Sequence, residues 1–134
     1  MPSRHKAMDR FRMNGYPWRI EKVDAHDPML VDRTGTLTVG TTDPDSGCVY
    51  LSDRLEGGFL IRVLIHELGH CALYSFHLLD DIHRMVYPKY WIDAEEWVCN
   101  FIADYGMKIF SIAYGVLGAE AWRCIPKELE RWIG

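Results

Sequence analysis

Cysteine is scarce and scattered. The four cysteines, Cys48, Cys71, Cys99 and Cys124, form no C-x-x-C pair. That spacing excludes a zinc ribbon and offers no disulfide framework. Nor does Met1 to Arg12 contain the apolar core of a secretory leader. Reduced thiols in a cytoplasmic protein are therefore expected, acting as small apolar packing groups. No run approaches the ~18 uninterrupted apolar residues of a membrane helix. There is no basic excess either: the formal net charge is −4. That balance argues against a general nucleic-acid binder. The local cluster Arg4, Lys6, Arg10 and Arg12 reads as a solvated arm. Internal repeats and low-complexity stretches are missing as well.

What is present is a globular composition, 49% apolar and 13% aromatic in 134 residues. This suits one domain over residues 1–134, with 1–15 as a flexible arm or one short, weak helix. Trp18 to Val23 alternates apolar and polar residues, a strand signature. Met29 to Asp32, Leu37 to Thr42 and Cys48 to Leu51 are further β-prone runs. They are separated by turn-forming stretches, the strongest being Asp43-Pro44-Asp45-Ser46-Gly47. The first third thus predicts a small antiparallel sheet.

The period then changes. Asp53 and Glu56 have capping-box spacing. From Phe59 to Tyr74 the residues are apolar on nearly all sides, which predicts a buried central helix. His77 to Pro88, with Asp80, Asp81 and His83, reads as a solvated connector. A second long helix is predicted from Trp91 to Ala113, carrying Val98, Ile102, Tyr105, Ile109 and Ile112 at helical spacing. One or two turns over Ala119 to Cys124 and a terminal helix from Lys127 to Trp132 complete an α+β domain of minimal zincin-like layout.

The central helix carries His66-Glu67-Leu68-Gly69-His70, an H-E-x-x-H pattern. Residues four apart share a helix face, so both imidazoles can reach one ion. Glu67 is placed to hold the attacking water as general base. Six histidines in this composition give the pattern by chance roughly 0.02 times per chain of this length. Two histidines and a carboxylate on an apolar helix each need a partner, and a metal satisfies both histidines at once. Gly69 costs helix stability and is expected where another backbone passes close.

A zinc hydrolase needs a third protein ligand. The metzincin solution would place histidine at position 76 and glycine at 73, where this chain has Phe76 and Leu73. A deformylase-type cysteine ligand has only a faint echo in Gly47-Cys48-Val49-Tyr50. The remaining solution is a carboxylate from the next long helix, where Glu95 and Glu96 are adjacent. Glu96 shares a register with Cys99, Ala103 and Tyr105–Gly106, the expected inward side, and Asn100 lies one turn further on, placed to support a ligand.

His66-Glu67-Leu68-Gly69-His70 followed by Glu96-Trp97-Val98-Cys99-Asn100-Phe101-Ile102-Ala103 resembles the ImmA/IrrE family of small gluzincin-like metallopeptidases. That family carries H-E-x-G-H and, about a helix later, E-x-x-A-N-x-F-A. Cys99 stands for its alanine and Ile102 for its phenylalanine. Asp104-Tyr105-Gly106-Met107 replaces its usual Leu-Leu-Met-Pro. The resemblance spans residues 48–106. It implies His66, His70 and Glu96 as zinc ligands, Glu67 as the catalytic base, and hydrolysis of a peptide bond in a specific intracellular protein. Family members are often phage or mobile-element encoded, and some cleave repressors.

A substrate peptide is expected to add as a strand along Cys48, Val49, Tyr50, Leu51 and Ser52, if that strand is the sheet edge. His77, His83 and Tyr105 are candidate oxyanion donors. The other class of function is an inactive zinc-binding protein that docks to a partner as a phage or stress regulator, through aromatics such as Trp91, Trp97, Trp122 and Trp132.

Overall fold

The computed structural model describes residues 5–126. The terminal helix expected over Lys127 to Trp132, and Trp132 itself, lie outside them.

Four strands form one sheet: β1 (Lys6–Met13), β2 (Tyr16–Val23), β3 (Gly40–Asp43) and β4 (Cys48–Ser52). Their order is β1-β2-β4-β3. β1 pairs with β2, and β3 with β4, in antiparallel hairpins, but β2 and β4 run parallel. The expected antiparallel sheet is therefore mixed. The reason is topological: the long connection after β2 carries the chain past an empty position to the edge. The Asp43–Cys48 turn then returns β4 into the gap. The expected weak helix or arm in residues 1–15 is instead strand β1 over its central part, with a register shift near Met8. The expected strand at Met29 to Asp32 is a 3-10 turn, Pro28–Leu30, capped by the Asp27 carboxylate.

β4 is buried along its whole length. Its two faces serve two cores. Val49 and Leu51 join Trp18, Ile20, Leu55, Val63 and Cys71 between sheet and helix. Cys48 and Tyr50 join Val23 and Leu30 on the other side. A strand covered on both faces reads as a continuous apolar run rather than an alternating one.

Helix α1 (Gly57–Ser75) crosses the sheet. The Asp53 capping box does not form. Glu56 is the N-cap, without a side-chain bond, and Gly57 follows with φ +59°. That left-handed residue starts the helix one turn too late for Asp53 to cap it. Exposure of α1 is confined to its start, at Gly57, Gly58, Phe59 and Ile61; from Arg62 onward no residue is exposed, and Val63, His66, Glu67, Gly69, Cys71, Leu73 and Ser75 are buried, as the near-continuous apolar run predicts. Its C-terminal end is fastened to the first hairpin. The buried Trp18 Nε1 donates to Ser75 Oγ at 2.8 Å, and Asn14 Nδ2 to Ser75 O at 2.9 Å.

The expected solvated connector is a helix, α2 (Leu79–Met85). Asp80 and Asp81 lie in its first turn and His83 and Arg84 in its last, matching the helix dipole. The long second helix runs as α3 (Trp91–Phe101), a π-helical turn (Ile102–Gly106) and α4 (Met107–Leu117). A 3-10 segment, Gly118–Arg123, follows. Leu73, Ile82 and Cys99 form the third core, joining α1, α2 and α3. Gly69 is where α1 and α3 touch: a Cβ there would lie 3.2 Å from Cys99 Sγ. No helix of the described residues is long and apolar enough to cross a membrane.

Candidate metal centre

His66 and His70 project from consecutive turns of α1, and Glu96 from the second turn of α3. The helix contact at Gly69 brings them together. His66 Nε2 and His70 Nε2 are 3.3 Å apart. Glu96 Oε2 lies 3.0 Å from His66 Nε2, and its Oε1 lies 3.1 Å from His70 Nε2. One donor atom from each of the three residues falls within 4.8 Å of the others.

These residues fit a divalent metal. Two imidazole nitrogens and one carboxylate form a borderline-soft donor set suited to zinc. For a tetrahedral ion with Zn–N of about 2.0–2.1 Å, neighbouring ligand atoms sit about 3.3–3.4 Å apart. The nitrogen pair matches that spacing, and the carboxylate is a few tenths of an ångström closer. His66 Nδ1 is buried with no hydrogen-bond partner among the described residues.

Glu67 points to the same place from the sheet side. Its Oε2 is 3.7 Å from His66 Nε2, and Thr42 Oγ1 on β3 donates to its Oε1 at 2.9 Å. Burial pushes the Glu67 carboxyl upward in pKa, only partly offset by His70, His66 and Thr42. Hydrogen bonds from His66 and then His70 hold Glu96 far below the usual carboxylate range. Burial opposes the charged form of His66, but the Glu96 hydrogen bond together with the negative charges of Glu67 and Glu96 outweighs it, and the net shift is upward. One buried carboxylate is thus biased towards taking a proton while its neighbour stays ionised.

Glu95, the alternative ligand, is the more buried of the pair but faces elsewhere. It accepts from Arg33 Nη2 at 2.5 Å and lies 3.3 Å from His83 Nε2. His83 in turn stacks on Trp91 with ring centroids 4.1 Å apart. Arg33 also stands 3.8 Å from Glu96 Oε1, on the same side as His70. Asn100 does not hold a ligand; it accepts from Arg62 Nη2 at 3.0 Å, and Arg62 also binds Asp104.

The centre opens into a cleft of about 770 Å³ between the β3 edge, the loop before it and helices α1 and α3. Arg33, Arg62 and Tyr74 are on its wall. His77, His83 and Tyr105 are not among its lining residues, so none of the three expected oxyanion donors faces it. The strand at Cys48–Ser52 is not the sheet edge: β2 and β3 pair with it on either side. The free edge beside the metal centre belongs to β3.

Sequence reasoning missed Thr42 and Arg33. The contact of Thr42 with Glu67 depends on strand order, which leaves no local signal. Arg33 had a partial one. Asp32 Oδ1 accepts from the amides of Thr34 and Thr36, and that tight turn marks a held loop. Of the aromatics, Trp97 and Trp122 are exposed and Trp91 is half-buried.

No family model, curated protein or solved structure matches the chain.

Proposed function

We propose that the chain is a zinc-dependent metallopeptidase of the gluzincin kind, acting on an extended segment of another protein. The observation that carries this reading is the geometry of Glu67. It faces the point where His66, His70 and Glu96 converge, and a strand hydroxyl holds it there.

His66, His70 and Glu96 would hold a zinc ion, which would supply the Lewis acidity to acidify a water and polarise a carbonyl. The remaining work falls to the chain. Glu67 Oε2 accepts the proton of the attacking water and hands it to the leaving amine, a shuttle suited to a carboxylate with an upward-shifted pKa. Thr42 keeps the other oxygen of Glu67 in place. β3, Gly40–Asp43, is the terminal strand and pairs only with β4, so a peptide can add as a strand on its other side. Gly40 is needed there: a Cβ would lie 2.8 Å from Val63 Cγ1 and 3.4 Å from Glu67 Cγ. Arg33 and Arg62 on the cleft wall place positive charge beside a developing oxyanion.

The test is Glu67→Gln. It should retain one metal per chain and lose hydrolysis of a peptide library by a factor of ~10³ or more. The docking reading has one observation in its favour, the exposure of Trp97 and Trp122. An effect on a partner that survives Glu67→Gln would favour it.

A further inference from the structure

Helix α4 is almost wholly apolar, yet none of its residues is buried. A helix apolar on all sides is normally found inside a protein. Its main packing partners are the segments that adjoin it in the chain.

The exposure has a pattern. Trp97, Phe101, Tyr105, Ile109, Ile112 and Val116 are all exposed. Their spacing is four, four, four, three, four. Steps of four drift by ~40° each on a regular α-helix. The π turn at Ile102–Gly106 absorbs that drift, so the outward line stays continuous. Meanwhile Glu96, Cys99 and Ala103 remain on the α1 side. Trp97 stacks on Phe101 at 5.6 Å between centroids, and Phe101 meets Tyr105 at 5.9 Å. From Tyr105 to Val116 the line has the four-three-four spacing of a helix–helix seam.

At these exposures the six side chains present roughly 700 Å², taking about 150–250 Å² for each. That exceeds the ~300–600 Å² largest patch of a typical monomer. It approaches the ~800 Å² each partner contributes to a stable interface. Charge narrows the occupant further. Between residues 97 and 125 the charged groups are Asp104, Lys108, Glu120 and Arg123, two of each sign. A membrane surface calls for a cationic rim, and a charged partner for one dominant sign. Asp104 already pairs with Arg62 and Glu120 with Arg123, so the stripe itself is uncharged and apolar, and an identical uncharged stripe meets it without repulsion under a two-fold axis.

We propose that the α3–α4 stripe is a self-association surface that pairs with the same stripe of a second copy of this chain. The centre at His66, His70 and Glu96 faces the other side of α3, so each copy keeps its cleft.

The test is sedimentation velocity of the full chain from about 1 to 100 μM, a range spanning affinities of ordinary specific dimers. The expected result is a dimer whose dissociation constant rises at least tenfold in Ile109→Glu and in Ile112→Glu, with the far-ultraviolet circular dichroism unchanged. Ile112→Gln is the gentler variant where glutamate costs helix signal, and it should weaken the dimer in the same direction. A wild-type chain monomeric at 100 μM overturns the proposal, whether or not it co-sediments with phosphatidylcholine vesicles. So does a dimer that the folded variants leave intact.

Discussion

Thr42 Oγ1 on the edge strand donates to Glu67 Oε1 on the central helix across 2.9 Å. It also lies 3.2 Å from the Glu67 carbonyl oxygen. This contact couples the β3 edge strand to the carboxylate proposed as the proton carrier. Thr42→Val removes the donor at similar volume. It should lower kcat by about 10- to 100-fold, the scale on which a misoriented general base is felt. Metal content should not change, and Thr42→Ser should restore most of the rate. Steady-state kinetics with metal analysis on the same preparations reads both.

The adjacent carboxylates Glu95 and Glu96 should separate cleanly. Glu96→Gln removes the proposed third ligand and should cost metal affinity. Glu95→Gln should leave metal bound but destabilise the fold by about 1–3 kcal/mol, since it unpairs a buried hydrogen-bonded group; half-exposed Arg33 keeps the cost towards the lower end. Urea unfolding with chelator present measures the second effect. Loss of metal from Glu95→Gln alone would transfer the ligand role to Glu95.

Acid sensitivity should trace in part to the first hairpin. The hydrogen bond from Arg19 Nε, 2.6 Å long, holds the Glu21 carboxyl below its ordinary pKa. A carboxyl depressed in the folded state contributes stability above its unfolded pKa, about 4.3 for glutamate. That contribution fades as pH falls through the folded value. The gap in unfolding free energy between wild type and Glu21→Gln should therefore be constant near neutrality, ~0.5–1 kcal/mol, and close below about pH 4. A gap that widens on acidification would refute the pairing.

The thiols should react unequally. Burial pushes the Cys48 thiol up to about 11, and Cys71 and Cys99 to about 12. Cys124 is exposed. A chromogenic thiol reagent should label one thiol per native chain rapidly and all four in denaturant.

Local spacing made the centre readable and nonlocal order hid its surroundings. His66 and His70 are one helical turn apart, so their shared face follows from periodicity alone. Glu96 follows from the register that also buries Cys99 and Ala103. Strand order has no such local signature: Cys48–Ser52 looks like any apolar strand, and only its insertion between β2 and β3 removes it from the edge. β1 escaped notice because Lys6, Asp9, Arg10 and Arg12 leave few apolar positions to set a period. The connector at Asp80 and Asp81 is polar enough to read as a loop, yet Ile82 docks it against Leu73 and Cys99. Tyr105, expected on the inward side, is exposed, as are the helically spaced Ile109 and Ile112, because periodicity reveals a face and not what covers it.

The most direct measurement of the central claim is metal content of the purified chain by inductively coupled plasma mass spectrometry. Its companions are His70→Ala and Glu96→Gln, prepared in parallel. The account predicts about one zinc, or an equivalent divalent ion, per wild-type chain, with large losses in both variants. A wild-type chain that carries no stoichiometric divalent metal, and takes none up on dialysis against zinc, would contradict it.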